Sequence, residues 1–159
     1  MRVFDAKEIF KFAIRIEENG TKFYRYAANL VDDEDMKNTF NFLAGEEVKH
    51  KKIFEGLLSE ITADTSFEDF PDEYFNYLRC YVDNVIFTDK QLEVAMSEVK
   101  DILGAINFAI KRELDSILYY HEIKKFIPGK QHSLIDEIIE EERRHYTKLT
   151  DIKENYTKD

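Results

Sequence analysis

The chain has 159 residues, with 33 acidic against 23 basic side chains, a net charge of -10, 5 Gly, 2 Pro and a single cysteine. So acidic a balance repels nucleic acid and favours small cations, and one cysteine excludes an internal disulfide or a Cys-x-x-Cys site. The length suits one domain with a substantial core, and no apolar run approaches the ~18 residues needed to cross a bilayer.

Charge recurs within every few residues of Met1-Arg2-Val3-Phe4-Asp5-Ala6-Lys7-Glu8, so no apolar signal core is visible and a cytoplasmic location is the expectation. Asp5 can cap a first helix reaching about Val31, with Ile9, Phe12, Ala13, Ile16, Phe23 and Ala27 on its buried stripe. The acidic cluster from Asp32 to Asp35 opens a second helix, to about Ser59. Thr62, Asp64, Thr65, Ser66 and Pro71 mark irregular structure, but Tyr74, Tyr77, Leu78, Tyr81, Val82 and Val85 return to helical spacing, and Asp89 to Met96 reads as a short helix. Asp101 can cap a third long helix to about Ile127, and Gln131 starts a fourth to about Tyr156. One domain over residues 1–159 is therefore expected: a hairpin over about 5–60, a crossover over about 61–100 and a second hairpin over about 101–157.

The chemistry sits in the long helices, and it occurs twice. Glu47-Val48-Lys49-His50 and Glu142-Arg143-Arg144-His145 each place a carboxylate three residues before an imidazole, on one helical face, where both can reach a single cation. Each cluster has an upstream carboxylate, Glu17 or Glu113, followed seven residues later by Tyr24 or Tyr120. Val3, Asp5, Phe12, Ala13, Ile14, Glu17 and Tyr24 recur as Val99, Asp101, Phe108, Ala109, Ile110, Glu113 and Tyr120 at an offset of 96, and Glu46, Glu47 and His50 recur as Glu141, Glu142 and His145 at 95. The chain thus reads as two related halves.

Glu17 and Glu47 each lie about 14 residues from the acidic turn between them, or roughly 20 Å of helix, so an antiparallel hairpin brings Glu47 and His50 level with Glu17. Glu113 and Glu142 are similarly placed about Pro128-Gly129. Packing the hairpins face to face collects four carboxylates and two imidazoles, the ligand set of a pair of iron or manganese ions.

Glu17, Glu47, His50, Glu113, Glu142 and His145, with the stretches Glu17 through Tyr24 and Phe42 through His50, resemble the ferritin-like superfamily, and within it the rubrerythrin-like di-iron proteins, over essentially the whole chain. The resemblance implies an all-α, ferritin-like four-helix bundle of two repeated helical hairpins with a long, partly helical crossover. It implies two iron ions, with manganese or a mixed pair as the alternative, Glu17 and Glu113 as terminal or chelating ligands, Glu47 and Glu142 as bridges, and His50 and His145 as one cap on each ion. Two features depart from the family pattern. Many peroxide-reducing rubrerythrins carry a second Glu three residues after the third-helix ligand, where this chain has Ser116, and many carry a paired-cysteine rubredoxin module, where this chain has Cys80 alone. An electron donor is therefore expected to be a separate molecule, such as rubredoxin or a flavoprotein.

Tyr24 and Tyr120 read first as packed rings with bonded hydroxyls, and alternatively as hydrogen-bond donors to ligands or electron relays. Gly20 and Ser116 are small at the intervening turn, leaving room for the site, for an oxidant or for close helix packing. Glu18, Glu46, Glu140 and Glu141 adjoin the candidate ligands but point about 100° away; Glu141 lies four before His145 and could share its face. His121 and His132 read as surface or hydrogen-bonding histidines, and Cys80 as a reduced, half-buried thiol. Phe67, Phe70, Tyr74, Phe75, Tyr77, Tyr81 and Phe87 in the crossover cover one side of the bundle or form the interface of a homodimer, the expected assembly. Three functions follow, in order: a di-iron oxidoreductase reducing peroxide or dioxygen, a ferroxidase that handles iron, and a non-enzymatic metal-stabilised module.

Overall fold

The computed structural model describes residues 6–61, 71–85 and 89–158; the Asp5 cap and the crossover residues Phe67, Phe70 and Phe87 lie outside them. Among the described residues there are six α-helices and no strand: α1 (Ala6–Leu30), α2 (Glu34–Glu60), α3 (Asp72–Val85), α4 (Asp89–Glu98), α5 (Ile102–Ile123) and α6 (His132–Tyr156). Capping places two of the starts. Asp33 accepts the Met36 amide at 2.8 Å, and Asp101 accepts that of Gly104 at 2.7 Å, each satisfying a donor that the first helical turn leaves over. A single 3-10 turn, Lys124–Phe126, ends α5, and a second, Gly129–Gln131, leads into α6. No described helix is long and apolar enough to cross a membrane.

The long helices form the bundle: α1 packs along α2, α5 along α6, and the two hairpins meet through α1 with α5 and α2 with α6. Each long helix carries apolar residues near both ends of its buried stripe and polar ones midway, so the core divides. One apolar half holds Phe10, Ile16, Phe54, Tyr119, Ile123 and Ile138; the other holds Phe23, Ala27, Phe40, Leu43, Ile106 and Leu149. Burying each large apolar side chain contributes ~1.5–3 kcal/mol, which offsets the cost of the polar layer between the halves.

The crossover lies against one side of the bundle. Tyr74 and Phe75 pack on Phe126, with ring centroids 5.9 and 6.3 Å away, and Tyr81 stacks on Tyr119 at 5.9 Å. Tyr26 fastens its far end by donating to the Val99 carbonyl at 2.7 Å. Cys80 is exposed on α3, where a half-buried thiol was expected: it follows the covered Leu78 by two residues, which turns it to the outer side of the helix.

Candidate metal centre

Glu17 from α1, Glu47 and His50 from α2, Glu113 from α5, and Glu142 and His145 from α6 meet in the polar layer, each less than a twentieth exposed. They form two overlapping sets. Donor atoms of Glu17, Glu47, His50 and Glu142 lie within 4.8 Å of one another, as do those of Glu47, Glu113, Glu142 and His145. Glu47 and Glu142 belong to both sets, and the two imidazoles lie 6.0 Å apart, tilted by 25°. The six residues that spacing singled out are brought together.

His50 Nδ1 stands 3.0 Å from Glu142 Oε1 and 3.6 Å from Glu17 Oε2, yet is aligned for a hydrogen bond with neither. His145 Nδ1 does bond Glu142 Oε2, at 3.1 Å. Burial, reinforced by Glu17, Glu142 and Glu113, pushes the Glu47 carboxyl well above the usual range, and burial together with Glu142 does the same to Glu113. Glu142 moves the other way: burial would raise it, but contacts with Glu113, His145 and His50 hold it well below. Burial would likewise lower the His50 imidazole, and the carboxylates of Glu142 and Glu17 beside it hold it well above its ordinary value instead.

Buried carboxylates packed this closely repel one another unless protons or cations are shared among them. Glu17 Oε2, Glu47 Oε1 and His50 Nδ1 are buried without a hydrogen bond. Four ionised carboxylates and two neutral imidazoles carry the charge that two divalent cations balance, and this mixture of oxygen and nitrogen donors suits iron or manganese. The residues present therefore fit a pair of such ions.

The groups around the six are less symmetric than the repeat. The Tyr24 hydroxyl donates to Glu113 Oε1 and the Tyr120 hydroxyl to Glu17 Oε1, each across to the other hairpin, so the rings are packed and bonded to candidate ligands at once. Burial, then the nearby carboxylates, raises both phenols well above their ordinary value. Glu141 faces His50, not His145, with its Oε2 2.6 Å from His50 Nε2. Glu46, Glu18 and Glu140 pair instead with Lys49, Lys51 and Arg143. His121 is exposed, and His132 bonds the Ile127 carbonyl at 2.9 Å.

Arg112 is the residue that sequence reasoning missed. Its guanidinium is 4% exposed, donates to the Ile16 carbonyl at 3.1 Å and lies 3.8 Å from Glu47 Oε2. A Cβ at Gly20 would stand 2.2 Å from Glu47 Oε2 and 2.7 and 2.8 Å from the two terminal guanidinium nitrogens. The room left by Gly20 is thus filled by Glu47 and Arg112. A signal was there to find: at the offset of 96, Arg112 occupies the position of Ile16, on the buried stripe of the first helix.

The family model for rubrerythrin matches residues 8–153. A Thermotoga maritima protein described as a ferritin-like diiron-carboxylate protein shares the fold, with a TM-score of 0.73, 24% identity and coverage of 97% of each chain. A Pyrococcus furiosus protein follows with a TM-score of 0.68 and 24% identity, over 95% of this chain and 89% of that one. No curated protein matches. With a helical bundle of ferritin-like fold, buried Glu and His clusters, and a family match over nearly its whole length, the chain belongs to the rubrerythrin family.

Proposed function

We propose that the protein is a di-iron oxidoreductase that reduces hydrogen peroxide or dioxygen with electrons from an external donor such as rubredoxin or a flavoprotein. The observation that carries this reading is the pair of overlapping four-residue sets sharing Glu47 and Glu142, with Glu17, Glu47 and His50 each keeping a buried donor atom unpaired. Bound iron would supply the redox equivalents and the Lewis acid, and manganese or a mixed pair would use nearly the same ligands. Glu17 and His50 on one side and Glu113 and His145 on the other would hold the two ions, with Glu47 and Glu142 common to both sets. Tyr120 and Tyr24 keep a proton against one oxygen of Glu17 and of Glu113, and the apolar halves above and below exclude bulk water. Ser116, buried beside the site, offers a hydroxyl where a further carboxylate would add a ligand. A second copy of the chain is the proposed partner, with Tyr77 43% exposed on the outer side of α3.

The test is a single turnover. The protein is loaded anaerobically with two Fe(II) per chain and mixed with hydrogen peroxide or with dioxygen while absorbance follows oxidation. Faster oxidation by peroxide supports a peroxidase. Faster oxidation by dioxygen supports an oxidase, or a ferroxidase if added Fe(II) is turned over repeatedly. Loading without reaction toward either oxidant would overturn the enzymatic reading in favour of a metal-stabilised module.

A further inference from the structure

A strict repeat would give two equivalent cation positions, and three features of this chain remove the equivalence. The first is Arg112, a permanent charge where the other half has Ile16. It stands 3.8 Å from Glu47, which belongs to both sets, and donates to the carbonyl of Ile16, the residue before Glu17. Its charge breaks the symmetry of the repeat, and the direction of the difference comes from the imidazoles. Gly20 admits the guanidinium at that distance, since no larger residue fits against it without displacement.

The second feature is Glu141. An imidazole that donates its remote N–H to a carboxylate is fixed in tautomer and orientation and becomes a better ligand through its other nitrogen. Glu141 does this for His50 at 2.6 Å, whereas its repeat counterpart Glu46 pairs with Lys49 and leaves His145 without the same support. The third is the set of groups at the facing nitrogens: His50 Nδ1 stands between Glu142 and Glu17, at 3.0 and 3.6 Å, while His145 Nδ1 is hydrogen-bonded at 3.1 Å to Glu142 of its own helix.

We infer that the chain holds its two divalent cations unequally, tightly at Glu17, Glu47, His50 and Glu142 and more weakly at Glu47, Glu113, Glu142 and His145, with Glu141 as the positioning residue that sets the difference. The inference rests on the metal-centre reading above and goes beyond it, since that reading is indifferent to the order of filling. Outer partners of metal ligands typically change affinity by roughly 10- to 100-fold, and a separation of that order is expected between the two steps.

The experiment is an equilibrium titration of the metal-free protein with Co(II), read by its visible absorbance. Two steps separated by at least about tenfold are expected. Glu141→Gln should weaken the first step until the two approach one another. His50→Ala and His145→Ala form an independent pair. The tight step should survive His145→Ala and vanish in His50→Ala. Two steps of equal affinity, or loss of the tight step in His145→Ala with retention in His50→Ala, would overturn the inference while leaving the metal centre intact. Failure of the unaltered protein to take up Co(II) would overturn the metal centre and the inference with it.

Discussion

The Tyr24 hydroxyl donates to Glu113, a residue of the other hairpin 89 positions away, and Tyr120 returns the contact to Glu17. Each half of the repeat thus supplies a hydrogen bond to the candidate ligand of the other, which ties α1 to α5 at the level of the site.

Removing either hydroxyl leaves a buried carboxyl oxygen without its donor. Tyr24→Phe and Tyr120→Phe should each lower stability by about 1–3 kcal/mol, measured by urea unfolding of the metal-free protein. Both rings are fully buried and Phe preserves their packing, so the loss reports the hydroxyl alone. Unchanged midpoints in both variants would mean that the two bonds contribute nothing.

Gly20→Ala sets two effects against each other. Alanine favours the helix by ~1 kcal/mol, but its Cβ would lie 2.2 Å from Glu47 Oε2 and under 3 Å from the Arg112 guanidinium, both buried. Overpacking of this kind costs ~1–3 kcal/mol, so a net loss is expected, and Arg112→Met should recover part of it in a double-mutant cycle. Gly45→Ala and Gly56→Ala are the controls. Both glycines lie inside α2 with nothing within 4 Å of a built Cβ, and both substitutions should stabilise by ~0.5–1 kcal/mol. A Gly20→Ala variant as stable as these controls would show that Glu47 and Arg112 move aside freely.

Those contrasts also mark what the sequence made legible. Glu-x-x-His on one face, given twice in register, suffices to bring Glu47 and His50 level with Glu17, and Glu142 and His145 level with Glu113, once each hairpin closes, because hairpin geometry depends only on helical rise and turn position. The helix starts at Asp33 and Asp101 follow from local capping chemistry in the same way. Contacts between hairpins were not legible. Helical period says that Tyr24 shares a face with Glu17 but not that this face meets Glu113, and Glu141 could be read toward His145 although the opposing helix presents His50. Arg112 was hidden for a different reason: a charged residue between Lys111 and Glu113 reads as solvated unless its repeat counterpart, Ile16, is consulted.

Metal removal gives a direct measure of the polar layer. Cations bound by the folded state alone stabilise it by about 2.7 kcal/mol at a hundredfold excess over Kd, and without them the four carboxylates must share protons or repel. Adding a chelator to the iron- or manganese-loaded protein should therefore lower Tm by several degrees. Glu47→Ala and Glu142→Ala, which remove the residues common to both sets, should abolish binding and with it the response to chelator. Equal melting temperatures with and without metal would exclude a buried metal site.

The attachment of the crossover has its own pH signature, independent of the metal centre. Tyr74 on α3 donates to Glu122 on α5, and Lys125 donates to the same carboxylate at 2.7 Å while standing 4.8 Å over the Tyr74 ring. Partial burial would raise Glu122, but the two donors outweigh it and lower its carboxyl below the ordinary value. A depressed folded-state pKa contributes stability that is present above the unfolded value and lost as pH falls through the folded one. Glu122→Gln should therefore melt below the unaltered protein at pH 7, and the two melting curves should converge as the pH falls below the ordinary glutamate range, where Glu122 is protonated in both folded and unfolded states. A difference in Tm that stayed constant from neutral to acid pH would assign the effect to side-chain shape and not to the charge that holds α3 against the bundle.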